Sequence, residues 1–300
     1  MPEGIILKGV GGFYYVKTSN GIYECKARGI FRIRDISPLP GDRVIIESVS
    51  EQYMSGNIEE ILERKSVLVR PPVANVDLVV LTIAAKSPVA DMLLFDKMII
   101  TILSKNIDIL LCVNKLDIDD GLTFNKISEV YGNAGFTVLG VRKDDPDTID
   151  KLLEHISGHI NVFAGQSGVG KSTIMNLILK SEVMETGSVS VKIQRGKQTT
   201  RHTQLLELIN GGYVVDTPGF SSFELEDIEE GKLVDYYPEF SNYLGKCRFQ
   251  DCVHINEPDC EIKNAVNIGA ISKERYDRYV ELYLMLKAKN NIYKGKNKIK

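Results

Sequence analysis

The sequence predicts a multidomain α/β protein in three parts: a small β-barrel over 1–70, a domain with a mostly parallel sheet over 71–225, and a helical C-terminal domain over 226–300. Three observations predict this. Short β-rich runs separated by turn residues fill the first part. Strand-like and helix-like apolar segments alternate through the second. Past 226 the strand signals fade, and cysteines crowd around a histidine.

In the first part GIILKGV, GFYYVKT, GIYECKA, IFRIR and DRVIIESV read as five strands. Ser19-Asn20-Gly21, Pro38 to Asp42 and Ser55-Gly56-Asn57 read as the turns. Five short strands suggest an OB-fold, and Pro71-Pro72 marks its end. In the second part VDLVVLTIAA and IDILLCVN are continuous apolar runs, the mark of strands buried on both faces. DMLLFDKMIITILSKN and IDKLLEHI read as helices, and FTVLGV as a strand. HINVFAG reads as a strand running into a glycine loop, with STIMNLILK as the helix after it. QLLELIN and YVVDTPG read as a hairpin. In the third part ISKERYDRYVELYLMLKAK reads as one long helix, followed by a lysine-rich tail.

Composition excludes some classes. With 43% apolar and 26% charged residues, the chain is of ordinary globular type. A net charge of −3 confines nucleic-acid binding to local patches. No apolar run approaches the roughly 18 residues of a membrane span, and MPEGIILKGVGG does not resemble a signal peptide. The expectation is a cytoplasmic protein with no membrane contact. Five cysteines, three of them within 247–260, do not read as a disulfide framework.

Gly165-Gln166-Ser167-Gly168-Val169-Gly170-Lys171-Ser172, followed by Thr173, lies between a strand and a helix, the setting a P-loop requires. Its backbone N–H groups would cradle phosphates, and Lys171 would neutralise the β/γ oxygens. The Ser172 hydroxyl would bind Mg²⁺. Asp216-Thr217-Pro218-Gly219 ends the next strand; Asp216 can hold Mg²⁺ through water and Gly219 can donate to a γ-phosphate. The following residue is Phe220, which cannot orient water. Between the two lies Gly196 to Thr203, where Thr199 or Thr200 would complete the Mg²⁺ shell. His202 is the candidate for orienting water, a solvated loop histidine being the alternative.

Asn114-Lys115-Leu116-Asp117 ends a buried strand. The Asp117 carboxylate matches the N1–H and N2–H₂ donors of guanine, a pairing adenine cannot make. The order is unusual, because the base reader precedes the phosphate loop. A sheet survives a new choice of termini when its old ends lie close together. The two signals together therefore predict a circularly permuted P-loop GTPase domain, with the DTPG strand leading out into the C-terminal part. The loop at Leu139 to Arg142, where a second base contact belongs, lacks the usual Ser-Ala pair.

Cys247, Cys252, His254 and Cys260 supply three thiolates and an imidazole, a closed tetrahedral set suited to one structural Zn²⁺. Lys26, Arg28, Arg32 and Arg34 occur without an intervening acid near Phe31 and form a candidate RNA-binding strand. The basic tail is a second candidate.

The combination of permuted order, GxxxxGKS, DTPG, an OB-like barrel and the Cys-x4-Cys-x-His-x5-Cys knuckle resembles the bacterial small ribosomal subunit-dependent GTPases called RsgA (YjeQ/YloQ). The resemblance spans nearly the whole chain. It implies GTP hydrolysis stimulated by the 30S subunit, a role in late 30S maturation, and GTP/GDP and 16S rRNA as partners of a monomeric chain. It maps guanine and phosphate contacts onto residues 114–117 and 165–173, and catalysis onto His202. Two other readings stand beside it: an ATP-using P-loop protein, which the NKLD signature opposes, and a zinc-bearing RNA-binding module with a vestigial nucleotide pocket.

Overall fold

The computed structural model describes residues 1–186, 203–216, 225 and 228–297, without the side chains of Arg32, 180–186 and 291–297. The chain forms two compact units, 1–82 with 142–222, and 83–141 with 223–300.

The first unit opens with β1 (Glu3–Val10), β2 (Phe13–Thr18), β3 (Gly21–Ala27), α1 (Gly29–Ile33), β4 (Arg43–Ser50) and β5 (Ser55–Ile61). The strands close a barrel in the order β1-β2-β3-β5-β4 and back to β1. Only the β3–β5 pairing in the barrel is parallel. Inward residues at alternate positions, among them Ile6, Val16, Tyr23, Cys25, Val44, Ile46 and Ile58, form its core.

Five strands are present, as expected, but not the same five. IFRIR is a single helical turn. Arg34 N–H donates to Ile30 O, Phe31 plugs the barrel core, and Ile30 and Ile33 face outward. The fifth strand is SGNIEEI, whose first residues read as a turn. The turn in fact lies at Glu51–Met54 and uses Met54 at φ +47° without a glycine or asparagine. Gly56 belongs to the strand because a Cβ there would meet Glu47 O at 2.6 Å.

A short ladder of β6 (Val67–Leu68) and β7 (Val73–Ala74) flanks Pro71-Pro72. Then follow β8 (Leu78–Ala84), α2 (Met92–Leu103), β9 (Asp108–Asn114), α3 (Leu122–Gly132), β10 (Thr137–Gly140), α4 (Pro146–Ile156), β11 (Ile160–Ala164), α5 (Lys171–Thr186), β12 (Gln204–Glu207) and β13 (Tyr213–Asp216). The chain ends with α6 (Glu261–Asn267) and α7 (Lys273–Asn297). Within the first unit β11 pairs in parallel with β8 on one side and β13 on the other. β12 and β13 make the expected hairpin, and β12 meets β1 at Lys8 opposite Gln204.

In the second unit β9 and β10 pair in parallel, from Leu110 opposite Thr137 to Val113 opposite Gly140. α2 begins at Asp91, whose carboxylate caps Leu94 N–H at 2.9 Å, and buries Phe95, Met98, Ile99 and Ile102. α3 was not among the expected helices; its apolar positions are few, and only Ile127 and Tyr131 are buried. The C-terminal part packs two 3₁₀ turns, α6 and α7 around Leu233, Tyr237, Phe240, Ile262, Tyr279 and Leu282. Among the described residues no helix is long and apolar enough to cross a membrane.

Candidate functional site

The phosphate loop leaves the carboxyl end of β11 and enters α5, as the sequence requires. Three of its residues need glycine. Gly165, Gly168 and Gly170 take φ of +135°, +81° and +98°. At Gly165 a side chain is doubly barred, since a Cβ would lie 2.1 Å from Thr82 O. Val169 is buried and anchors the loop, while Ser172 and Thr173 are exposed at the helix start. The Lys171 ammonium curls back to donate to Gly165 O at 2.7 Å and Gln166 O at 2.8 Å. Burial lowers its pKa, as expected for an ammonium held beside backbone rather than in bulk water.

Asp216 ends β13, the parallel neighbour of β11. The Ser172 hydroxyl and the Asp216 carboxylate therefore stand at the carboxyl ends of adjacent parallel strands, where α/β proteins bind ligands. That donor pair, two hard oxygens beside a phosphate loop, suits Mg²⁺. Thr199, Thr200, Arg201, His202, Gly219 and Phe220 lie outside the described residues.

In the second unit the Asn114-Lys115-Leu116-Asp117 segment is held on three sides. Asn114 is buried and its carbonyl accepts from Ala85 N–H at 2.9 Å. Lys115 adopts the left-handed region at φ +66° and ψ +36°, and its ammonium donates to Ser87 O at 2.6 Å. Leu116 N–H donates to Val141 O at 3.3 Å. The turn Leu116–Ile118 sets Asp117 half-buried. The neighbouring loop, which lacks Ser-Ala, has its own requirement: a Cβ on Gly140 would meet Leu116 Cδ1 at 2.4 Å.

The four candidate metal ligands converge. One ligand atom from each of Cys247, Cys252, His254 and Cys260 lies within 4.8 Å of the others. Cys247 Sγ is 3.5 Å from His254 Nδ1 and 3.9 Å from Cys260 Sγ, and His254 Nδ1 is 3.4 Å from Cys260 Sγ. None of these cysteines is in a disulfide. Burial pushes the Cys252 thiol up to about 12, crowding by the other two thiols adding to it, and burial also raises Cys260. Burial lowers His254, which favours the neutral imidazole that can donate a lone pair. Three packed thiolates need a cation to exist near neutral pH, and this set fits one.

The scaffold around the cluster is built to hold it. His254 and Asp259 take φ of +63° and +54°. Glu257 accepts Val253 N–H at 3.0 Å and Ile255 N–H at 2.9 Å; burial opposes its ionisation, but these and other backbone donors lower its pKa overall. From α7, Tyr276 and Tyr279 donate their hydroxyls to His254 O and Val253 O at 2.7 and 3.0 Å. These supports are not visible as a motif; their only signal is the tyrosine spacing along α7.

The basic stretch is arranged differently from the expected strand. Lys26 alone lies on a strand, β3, Arg28 precedes α1, Arg32 lies in α1 and Arg34 follows it. Arg28, isolated from acids in sequence, is 2.5 Å from Glu59 Oε2 of β5. Phe31 is in the core and cannot stack on a base. Instead the outer face of β1–β3 carries Lys26 over the Phe13 ring at 5.2 Å and Lys8 over Tyr15 at 4.8 Å. The alternation Phe13, Tyr15, Lys17 along β2 is the signal that could have found this face.

Comparison with known proteins bears on both units. Residues 61–226 match the RsgA GTPase family, and residues 3–55 match the RsgA N-terminal domain. The chain belongs to the RsgA GTPase family. Membership makes it a GTP-hydrolysing enzyme with a circularly permuted GTPase fold. A relative from Ruminiclostridium cellulolyticum, named small ribosomal subunit biogenesis GTPase RsgA, is 53% identical over 99% of this chain and 97% of its own. One of the same name from Clostridium novyi is 45% identical over 93% and 95%. Among solved structures, YloQ, described as a circularly permuted GTPase, superposes with a TM-score of 0.81 at 36% identity, covering 96% of each chain. YjeQ from Thermotoga maritima gives 0.82 at 33% identity, covering 95% of this chain and 98% of its own.

Proposed function

We propose that this RsgA-family enzyme hydrolyses GTP during late maturation of the small (30S) ribosomal subunit, binding 16S rRNA in a nucleotide-switched way. The observation that carries the reading is the phosphate loop on β11 with Asp216 at the end of the adjacent parallel strand. That placement sets cradle and acid at one sheet edge.

In this reading Gly165 to Thr173 and Gly219 bind the phosphates, and Asn114, Lys115, Leu116 and Asp117 select guanine. Ser172, Asp216 and Thr199 or Thr200 hold Mg²⁺, which when bound offsets charge on the phosphate oxygens. Lys171 adds a fixed positive charge, and His202 orients the attacking water. Cys247, Cys252, His254 and Cys260 hold one structural Zn²⁺. Lys26, Arg28, Arg32 and Arg34, with the face bearing Phe13 and Tyr15, contact RNA from a domain of residues 1–70. Residues 71–225 form the GTPase domain and 226–300 the zinc domain of a cytoplasmic monomer.

The test is GTP turnover by the full chain with and without purified 30S subunits. Slow basal turnover with strong stimulation is expected, and equal rates would overturn the ribosomal part of the reading.

A further inference from the structure

We propose that the second unit carries a docking site for an acidic, amphipathic segment of a partner protein, and that its occupant is felt at the guanine-reading segment. A cavity of about 350 Å³ opens beside the loop from β8 to α2 and is bounded by α3 and α7. Its walls are apolar, formed by Ala85, Met92, Ile127 and Val130. Its volume is at the low end of the roughly 300–1,000 Å³ typical of ligand sites.

Two features point to a peptide rather than a small molecule. Val89 and Leu122 line the cavity yet are 87% and 69% exposed. The apolar surface thus runs outward past the cavity, where a small occupant would leave it wet and a chain segment would cover it. Of the charged groups that line the cavity, three are cations and one, Glu274, is an acid. Lys126 is paired with Glu274 at 2.7 Å and Arg278 with the buried Asp96. Lys86 is exposed and has no hydrogen-bond or ion-pair partner among the described residues. An acidic side chain beside two apolar ones complements this arrangement: the apolar groups fill the cavity and the carboxylate meets Lys86.

The same loop is clamped by the base reader. Ala85 N–H donates to Asn114 O, and Lys115 Nζ donates to Ser87 O. Ala85 and Lys86 therefore touch the occupant on one side, while Ala85 and Ser87 hold the Asn114-Lys115 backbone and stem on the other. An occupant that shifts this loop changes the affinity for guanine nucleotide, and the nucleotide changes the occupant's affinity by the same factor. This second half rests on the guanine reading; docking does not.

The experiment uses the full chain and a labelled peptide of about 14 residues, long enough to sample a helix, with leucines at i, i+3, i+4 and i+7 and glutamates between. Its lysine counterpart and decanoate are the comparison ligands. The acidic peptide is expected to bind without nucleotide, and the lysine peptide is not. Lys86→Glu should weaken binding by about tenfold or more, the scale of a lost charge-assisted contact. Leu122→Ser should weaken it severalfold, while Lys65→Glu, on the other unit with the same charge change, should have no effect. Equal affinity of wild type and Lys86→Glu would overturn the site, as would binding of decanoate but not the peptide. GDP titrated alone reports the guanine reading. If GDP binds and its affinity is the same with and without saturating peptide, the coupling is overturned while docking stands.

Discussion

Arg275 donates from Nη1 to Asp96 Oδ1 across 2.8 Å, with both side chains 1% exposed. The pair joins α7 of the cysteine-bearing part to α2 beside β9, within one compact unit. Glu239, Arg278 and the Tyr131 hydroxyl complete a network of two cations and two carboxylates, and the guanidinium lies 4.8 and 4.9 Å from the Tyr131 and Tyr237 ring centres. Removing one partner strands the other in a dry site, a loss of roughly 3–5 kcal/mol. Asp96→Ala should unfold the chain at markedly lower denaturant. Replacing Asp96 and Arg275 together by Leu and Met should recover part of the loss, as a double-mutant cycle would show.

Gly165→Ala meets two obstacles, φ +135° and a Cβ 2.1 Å from Thr82 O. Strain of this kind costs about 1–3 kcal/mol or more. The expected result is a lower melting temperature together with loss of GDP binding. Gly158→Ala, at φ +75° with nothing within 4 Å of its Cβ, should lower stability less and leave GDP affinity intact.

Asp117→Asn exchanges one acceptor oxygen for a donor. It should cost GTP affinity by about two orders of magnitude, because guanine's paired donors then face a donor. Competition between GTP and XTP measures the change; xanthine, with an oxygen where guanine carries its amino group, should gain relative to GTP.

Metal content is the next test. The wild-type chain should carry one zinc by native mass spectrometry. Cys252→Ser should abolish it, and chelation should loosen the C-terminal core without unfolding the barrel. The readout is hydrogen exchange in α6 and in Val253 to Cys260, the latter segment being tied to α7 by Tyr276 and Tyr279.

The barrel has its own pH signature. Burial pushes the Cys25 thiol up to about 11, with Glu24 adding to the shift. The unfolded thiol ionises near 8.5. Between these values the unfolded chain releases a proton that the native barrel retains, so stability falls as pH rises. The contribution is intact below about 8.5 and lost by about 11. Denaturation between these pH values should show that slope, and Cys25→Ala should remove the part due to the thiol.

What could be read from sequence was what repeats or punctuates. The buried strands β8, β9 and β11 are short, mostly apolar runs, and the phosphate loop, Asn114 to Asp117 and the Cys/His set are spacings. IFRIR reads as a strand because of its β-branched composition, while the tertiary need is one aromatic plug, Phe31, set into the barrel core from the connection between β3 and β4. The turn at Met54 carries no turn residue. The pairing of Arg28 with Glu59 and the Asp96 network join residues far apart in sequence, so no local window holds them.

β1 is shared along its length. Glu3, Gly4 and Ile5 pair with β4, whereas Lys8 pairs with β12 through Gln204. During synthesis the barrel can close as soon as β5 has emerged, but the far half of β1 then waits for a strand made much later. At about 5–20 residues per second, that edge stands open for several seconds or longer. A newly made chain thus exposes unpaired backbone at a predictable place and time, a natural contact for folding helpers and a hazard for edge-to-edge association.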